Sequence, residues 1–187
     1  MMIPVVSLWL PILLAAVFAF VASSIVHMVL RYHKTDMRGF RDEETVRAAL
    51  GAQKLSPGQY AIPFCADMKQ MKDPAMIQKY TDGPVAIVTL LPNGNVQMGK
   101  HLLRWFLYCL GVSFVVGYVA SRTLAPGSAY MQVFRFTSVV AWLGYAGAHV
   151  SAGIWQGRPW STVGKDLFDG FVYALLAGGA FGGLWPQ

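Results

Sequence analysis

Four apolar runs stand out along the chain. Residues 8–30 carry no charge unless His27 is protonated, 102–121 carry one at Arg104, 136–155 carry none, and 167–185 carry only Asp169. Each run is near the roughly 20 residues that a helix rising about 1.5 Å per residue needs to cross a hydrocarbon core. The pattern predicts an all-α membrane protein of four transmembrane helices. The fourth run holds Gly170, Gly178, Gly179, Gly182 and Gly183, which disfavour a helix in water. In lipid an unpaired backbone group costs several kcal/mol, so the surroundings enforce the helix.

Between the first and second runs the pattern becomes mixed and rich in turn residues, and it predicts a small α+β segment. Asp42 is placed to cap a helix over about 43–53, with Glu43 and Glu44 favourable in its first turn. Tyr60, Ile62 and Phe64 alternate as a short strand does. Asp73-Pro74 reads as a cap followed by proline at the first helical position, opening a turn or two to Tyr80. Val85 to Leu91 is the best strand, and Pro92-Asn93-Gly94-Asn95 suggests a hairpin returning through Val96 to Met98. With few large apolar side chains the segment has a marginal core. The expected division is 1–31 for the first span, 32–100 for the loop segment and 101–187 for a three-helix membrane region.

Charge sets the orientation. Arg31, Lys34, Arg38, Arg41, Arg47, Lys100, Arg104, Arg158 and Lys165 flank one side of the spans, against Arg122 and Arg135 on the other. The positive-inside rule then places both termini outside and the loop segment in the cytoplasm. No Lys or Arg precedes the first run, which is too long for a secretory signal and reads as an anchor. The net charge of +6 is accounted for by this basic face against anionic headgroups and calls for no nucleic-acid partner. Two cysteines, Cys65 and Cys109, offer no disulfide framework and fit a reducing compartment.

Charge in hydrocarbon costs about 2.5–3.5 kcal/mol on insertion scales, so ionisable groups inside the spans mark candidate chemistry. His27, Arg104, His149 and Asp169 fall at similar depth near the inner boundary. With Tyr145 and Tyr173 they form a candidate polar pocket, in which Asp169 pairs with Arg104 or protonated His149. A His–carboxylate pair suits proton transfer or a polar headgroup. The competing reading is that such residues snorkel to the interface. No cofactor is expected; a quinone in the pocket, or a b-type haem held by His27 and His149, are the alternatives. No metal centre is expected either, Cys65, Met68 and Met71 being the one string of soft ligands suited to Cu(I).

Small residues four apart recur as Gly144/Ala148, Gly147/Ser151, Ala174/Gly178, Gly178/Gly182 and Gly179/Gly183. This spacing lets helices approach closely and points to the third and fourth spans as the packing centre. Trp155, Trp160 and Trp185 suit interfacial anchoring. No nucleotide-binding loop, nucleophile elbow or metalloprotease helix is present in the sequence.

The string Gly157-Arg158-Pro159-Trp160-Ser161, with Lys165, Asp169-Gly170, Tyr173-Ala174-Leu175-Leu176 and Phe181-Gly182-Gly183-Leu184-Trp185-Pro186, resembles a family of small bacterial multi-pass inner-membrane proteins of unknown function. The resemblance covers mainly the last two spans and implies a location without a mechanism. The preferred functional expectation is a structural or accessory subunit packed on a larger membrane complex. The alternative is a small transporter, channel or membrane enzyme built around His149, Asp169 and Arg104. Expected partners are membrane lipids and either other membrane subunits or further copies of the chain.

Overall fold

In the computed structural model, which describes residues 3–187, the chain forms two compact units: residues up to Met37 with Gln97–Gln187, and Arg38–Val96. The first unit is helical. A 3₁₀ turn, Val5–Leu8, leads into α1 (Trp9–Ser24), which continues through one π turn, Ile25–Val29. The helix ends at Leu30, whose backbone is extended, and a 3₁₀ turn over Arg31–Thr35 follows. The expected loop segment therefore begins later than residue 32: Tyr32, His33 and Asp36 are bound to the helices by their side chains, as described below.

Three long helices complete this unit: α4 (Met98–Thr123), α5 (Tyr130–Gln156) and α6 (Trp160–Gly183). Gly157 ends α5 in the left-handed region (φ 65°), and Pro159 sets the start of α6 two residues on. Val5–Val29 and α4 are long and apolar enough to cross a bilayer by length and composition. The 27 residues of α5 and the 24 of α6 have the length, but they fall outside that standard, with glycines and polar side chains lowering their hydropathy.

The bundle is built on small residues. Ala15, Ala16 and Ala19 of α1 are fully buried, and α1 packs against both α4 and α6, while α5 and α6 share the most extensive contact. A Cβ at Gly178 would overlap Ser138 Oγ and lie 2.9 Å from the Phe134 carbonyl oxygen; one at Gly182 would lie 2.8 Å from the Tyr130 ring. Ala174 is buried on the same face. Ala174, Gly178 and Gly182, spaced four apart, thus lie along the α6 face that meets α5.

The other small residues divide between contact inside the bundle and exposure. Gly144 meets Val112 of α4, whereas Gly147, Ala148 and Ser151 are exposed, and added side-chain carbons at Gly179 and Gly183 would meet nothing within 4 Å among the described residues. Four-residue spacing occurs on every face of a helix, and only the neighbours decide which face is used. Gly117 against Ile12 and Gly170 against Ala146 are close approaches that the pairs did not single out. Trp155 and Trp160 are largely exposed. Trp185 is not: it is 5% exposed and donates from Nε1 to the Ala125 carbonyl at 2.9 Å, closing the turn between α4 and α5.

The second unit contains α2 (Glu43–Ala52), β1 (Gly58–Ile62), a 3₁₀ turn (Met68–Lys72), α3 (Pro74–Asp82) and β2 (Ala86–Leu90). Asp42 caps α2 by accepting from the Thr45 amide at 3.1 Å, and Asp73 caps α3 by accepting from Ala75 at 3.0 Å. The second strand does not form the expected hairpin with 96–98. It pairs antiparallel with β1, Tyr60 opposite Val88, and Met98 instead begins α4. An antiparallel partner of equal length offers more ladder bonds than a three-residue return. None of the described residues of this unit is fully buried, in keeping with its few large apolar side chains.

Candidate functional site

Short connections make α4, α5 and α6 alternate in direction, so the C-terminal ends of α1 and α5 meet the N-terminal ends of α4 and α6 at one end of the bundle. A cavity of about 390 Å³ opens there. His27, Tyr145, His149, Asp169 and Tyr173 line it, and so do His101, Trp105, Arg158 and Asp166. Arg104 is exposed on α4 and is not among the lining residues. At about 100° per residue Arg104 is turned some 140° from buried Cys109, while Trp105 lies four positions before that cysteine and shares its face. Trp105 accordingly points inward and donates to Ser23 Oγ at 2.6 Å, tying α4 to α1.

The expected pairing of Asp169 with Arg104 or His149 does not form. Asp169, 4% exposed at its side chain, accepts from the Tyr32 hydroxyl and lies 2.7 Å from His33 Nε2. The other nitrogen of His33 is 2.6 Å from Asp36 Oδ2, and Lys165 Nζ reaches Asp36 Oδ1 at 2.6 Å, the Tyr32 carbonyl at 2.7 Å and Thr35 Oγ1 at 2.8 Å. One lysine and one aspartate on α6 thereby fix the whole turn after α1. His149 belongs to a second cluster: Arg158 stands 2.9 Å from its Nδ1, and Asp166 bridges to Arg158 at 2.9 Å and to His149 at 3.3 Å.

Electrostatics in the first cluster follow from these contacts. Burial pulls the His33 pKa down, but the carboxylates of Asp36 and Asp169 outweigh it and leave it raised. Asp36 is held below its usual value chiefly by Lys165 and further by His33, against the upward pull of burial. Burial and then Asp169 push the Tyr32 hydroxyl upward, so it remains a donor. With His33 protonated, two carboxylates face two cations, and the network carries no net charge.

His27 completes the group. Its Nδ1 is 3.0 Å from the Ser23 carbonyl, and its ring stacks on His33 with centroids 4.5 Å apart. His27, His33 and Asp169 offer ligand atoms all within 4.8 Å of one another. Sequence reasoning identified the first and the last and missed His33. The signal was slight: a histidine six residues after His27, beyond a helix end, shares a face with it only because the chain reverses at Leu30.

The two histidines of the haem alternative line one cavity but serve separate clusters, His27 beside His33 and His149 beside Arg158. In the second unit, the Cys65 thiol donates to the Asp67 carbonyl at 2.9 Å, and Met68 and Met71 are 78% and 44% exposed. Those three side chains are turned to their own turn and to solvent. Across the cavity the Tyr173 hydroxyl is buried and meets no hydrogen-bond partner among the described residues. No family model, curated protein or solved structure matches the chain.

Proposed function

We propose that this chain is a multi-pass protein of a bacterial inner membrane, spanning it with α1, α4, α5 and α6, and that its basic end carries a binding pocket for the polar part of an amphipathic ligand. Four helices of 24 residues or more, counting α1 with its flanking turns, suit an up-and-down bundle in lipid. Val139, Leu143 and Ile154 of α5 and Phe168 and Phe171 of α6 are exposed, which supports a lipid-facing exterior for the two less apolar helices. Positive side chains at the cavity end favour that end, the second unit and the intervening turns on the cytoplasmic side, with both termini outside.

One observation carries the pocket reading: the buried Tyr173 hydroxyl, without a hydrogen-bond partner among the described residues, on a cavity that also presents His149, Arg158 and Asp166. A buried hydroxyl without a partner costs about 1–3 kcal/mol. A bundle serving only as a packing subunit gains nothing from that cost, whereas a ligand's polar atom would recover it. The apolar remainder of the lining suits the ligand's tail. Native isolation in nanodiscs with mass spectrometry of retained small molecules tests the reading. A lipid or other amphiphile retained by the wild type and lost from Arg158→Gln and Tyr173→Phe is expected; equal retention by all three removes it. A second reading, the accessory subunit, draws on the exposed small-residue stripe of Gly147, Ala148 and Ser151, which suits a helix from another subunit. A stoichiometric larger membrane partner, with no retained amphiphile, would favour it. Reporter fusion at Lys54 tests orientation, and a signal from the outer side would refute it.

A further inference from the structure

We propose that His27, His33 and Asp169 form a three-ligand site for a divalent transition metal, with its remaining coordination position open to the cavity. The inference rests on the pocket reading for that open position only.

The three ligands come from three separate pieces of backbone, the π turn after α1, the 3₁₀ turn that follows it, and α6, and their ligand atoms all fall within 4.8 Å. Two imidazoles and one carboxylate are the donor set of zinc and non-haem iron sites that keep positions for a substrate or water. Single π turns inside helices frequently mark functional positions, and here one sets the direction of His27.

The atoms that would not touch the metal are already held. His27 Nδ1 is engaged by the Ser23 carbonyl at 3.0 Å, which leaves Nε2 with the coordinating lone pair. His33 Nδ1 is engaged by Asp36 at 2.6 Å, and Asp36 is fixed in turn by Lys165. The second oxygen of Asp169 accepts from Tyr32. This is the carboxylate- and carbonyl-backed arrangement by which proteins orient metal-binding histidines. Closing the site takes a rotation of the His27 ring out of its stack on His33 and a small separation of the other two ligands. In a tetrahedral complex with bonds of about 2.0–2.1 Å, two ligand atoms sit roughly 3.3 Å apart, so His33 Nε2 and Asp169 Oδ2, now at 2.7 Å, separate slightly as the metal replaces their shared proton, which leaves to solvent. His27, exposed on its helix, turns out of its stack on His33. Both His27 and Asp169 line the cavity, so the free position faces the ligand pocket, and the metal would act there as a Lewis acid on a polar group.

The test uses the full chain in nanodiscs, tag removed, titrated with Co(II) as a spectroscopic probe and with Zn(II) in competition. One Co(II) per chain, with the visible band of four-coordinate geometry and displacement by Zn(II), is expected. His27→Ala should abolish stoichiometric binding while leaving the helical spectrum unchanged, since His27 is the ligand the fold depends on least. Asp36→Asn should weaken binding about 10- to 100-fold, and His149→Ala should leave it intact. Folded wild type that takes up no Co(II), or uptake that survives His27→Ala, overturns the site. The two readings fail separately: loss of the amphiphile from Arg158→Gln with no metal uptake sinks only the metal site, and metal uptake without any retained amphiphile sinks only the pocket.

Discussion

Substituting Gly178 by alanine should destabilise the bundle, whereas the same change one residue later should not. The added carbon at Gly178 would stand 2.9 Å from the Phe134 carbonyl oxygen and 3.1 Å from a Phe134 ring carbon, and would overlap Ser138 Oγ. The serine hydroxyl can rotate aside, but the carbonyl is fixed in α5. Carbon–oxygen contacts settle near 3.3 Å or beyond, so α5 and α6 must separate by about 0.4 Å along their most extensive interface. Overpacking of this kind costs about 1–3 kcal/mol. At Gly179 an added carbon meets nothing within 4 Å among the described residues, and both changes share the same gain in helix propensity of up to about 1 kcal/mol. Their difference therefore isolates the steric cost. In a Cys65→Ser background, equilibrium unfolding in mixed micelles can be followed by thiol labelling of Cys109, which is fully buried in the folded state. Ser138→Ala should restore part of the loss and leave the share due to the Phe134 carbonyl. If Gly178→Ala and Gly179→Ala unfold within about 0.5 kcal/mol of each other, the margin expected for neutral surface changes, the close crossing of α5 and α6 is wrong.

Lys165→Met removes three acceptor contacts at once from a lysine only 23% exposed; hydrogen bonds of a charged group are worth about 1.5–3 kcal/mol, and hydrogen exchange should show the 31–36 turn opening before the helices. Trp185→Phe keeps most of the buried area but loses the bond to Ala125, so a loss of about 0.5–1.5 kcal/mol is expected in the same unfolding assay; an effect confined to the second unit would contradict that contact. The Asp42 pKa is lowered from 3.8, first by the Thr45 hydroxyl and then by its amide. Its capping contribution should be fully present above the unfolded value and fade as pH falls through the lower folded one. Thr45 amide protection should follow that course in the wild type, be lost at all pH in Asp42→Ala, and be independent of pH in Asp42→Asn.

Local chemistry was legible wherever one residue acts on its immediate neighbours. Asp42 and Asp73 cap the helices they precede, and the long helices fall on the apolar runs, because each of these depends on the residue types within a short stretch of chain. Register and partner choice were not legible in this way. The Val85–Leu91 strand carried its own signal, but its partner lies some thirty residues earlier, and sequence adjacency wrongly favoured the return through Val96.

The sequence by itself determined that long apolar helices carry polar residues at one end, since charge in an apolar run is conspicuous whatever surrounds it. Only the tertiary structure decided how those polar residues pair. Arg104 faces away by a helical rotation, Asp169 turns to Tyr32 and His33, and His149 turns to Arg158 and Asp166. Pairing depends on rotation about each helix axis, which follows from the packing of glycines and alanines many residues away, and on the turn after α1, which Lys165 and Asp169 of α6 hold.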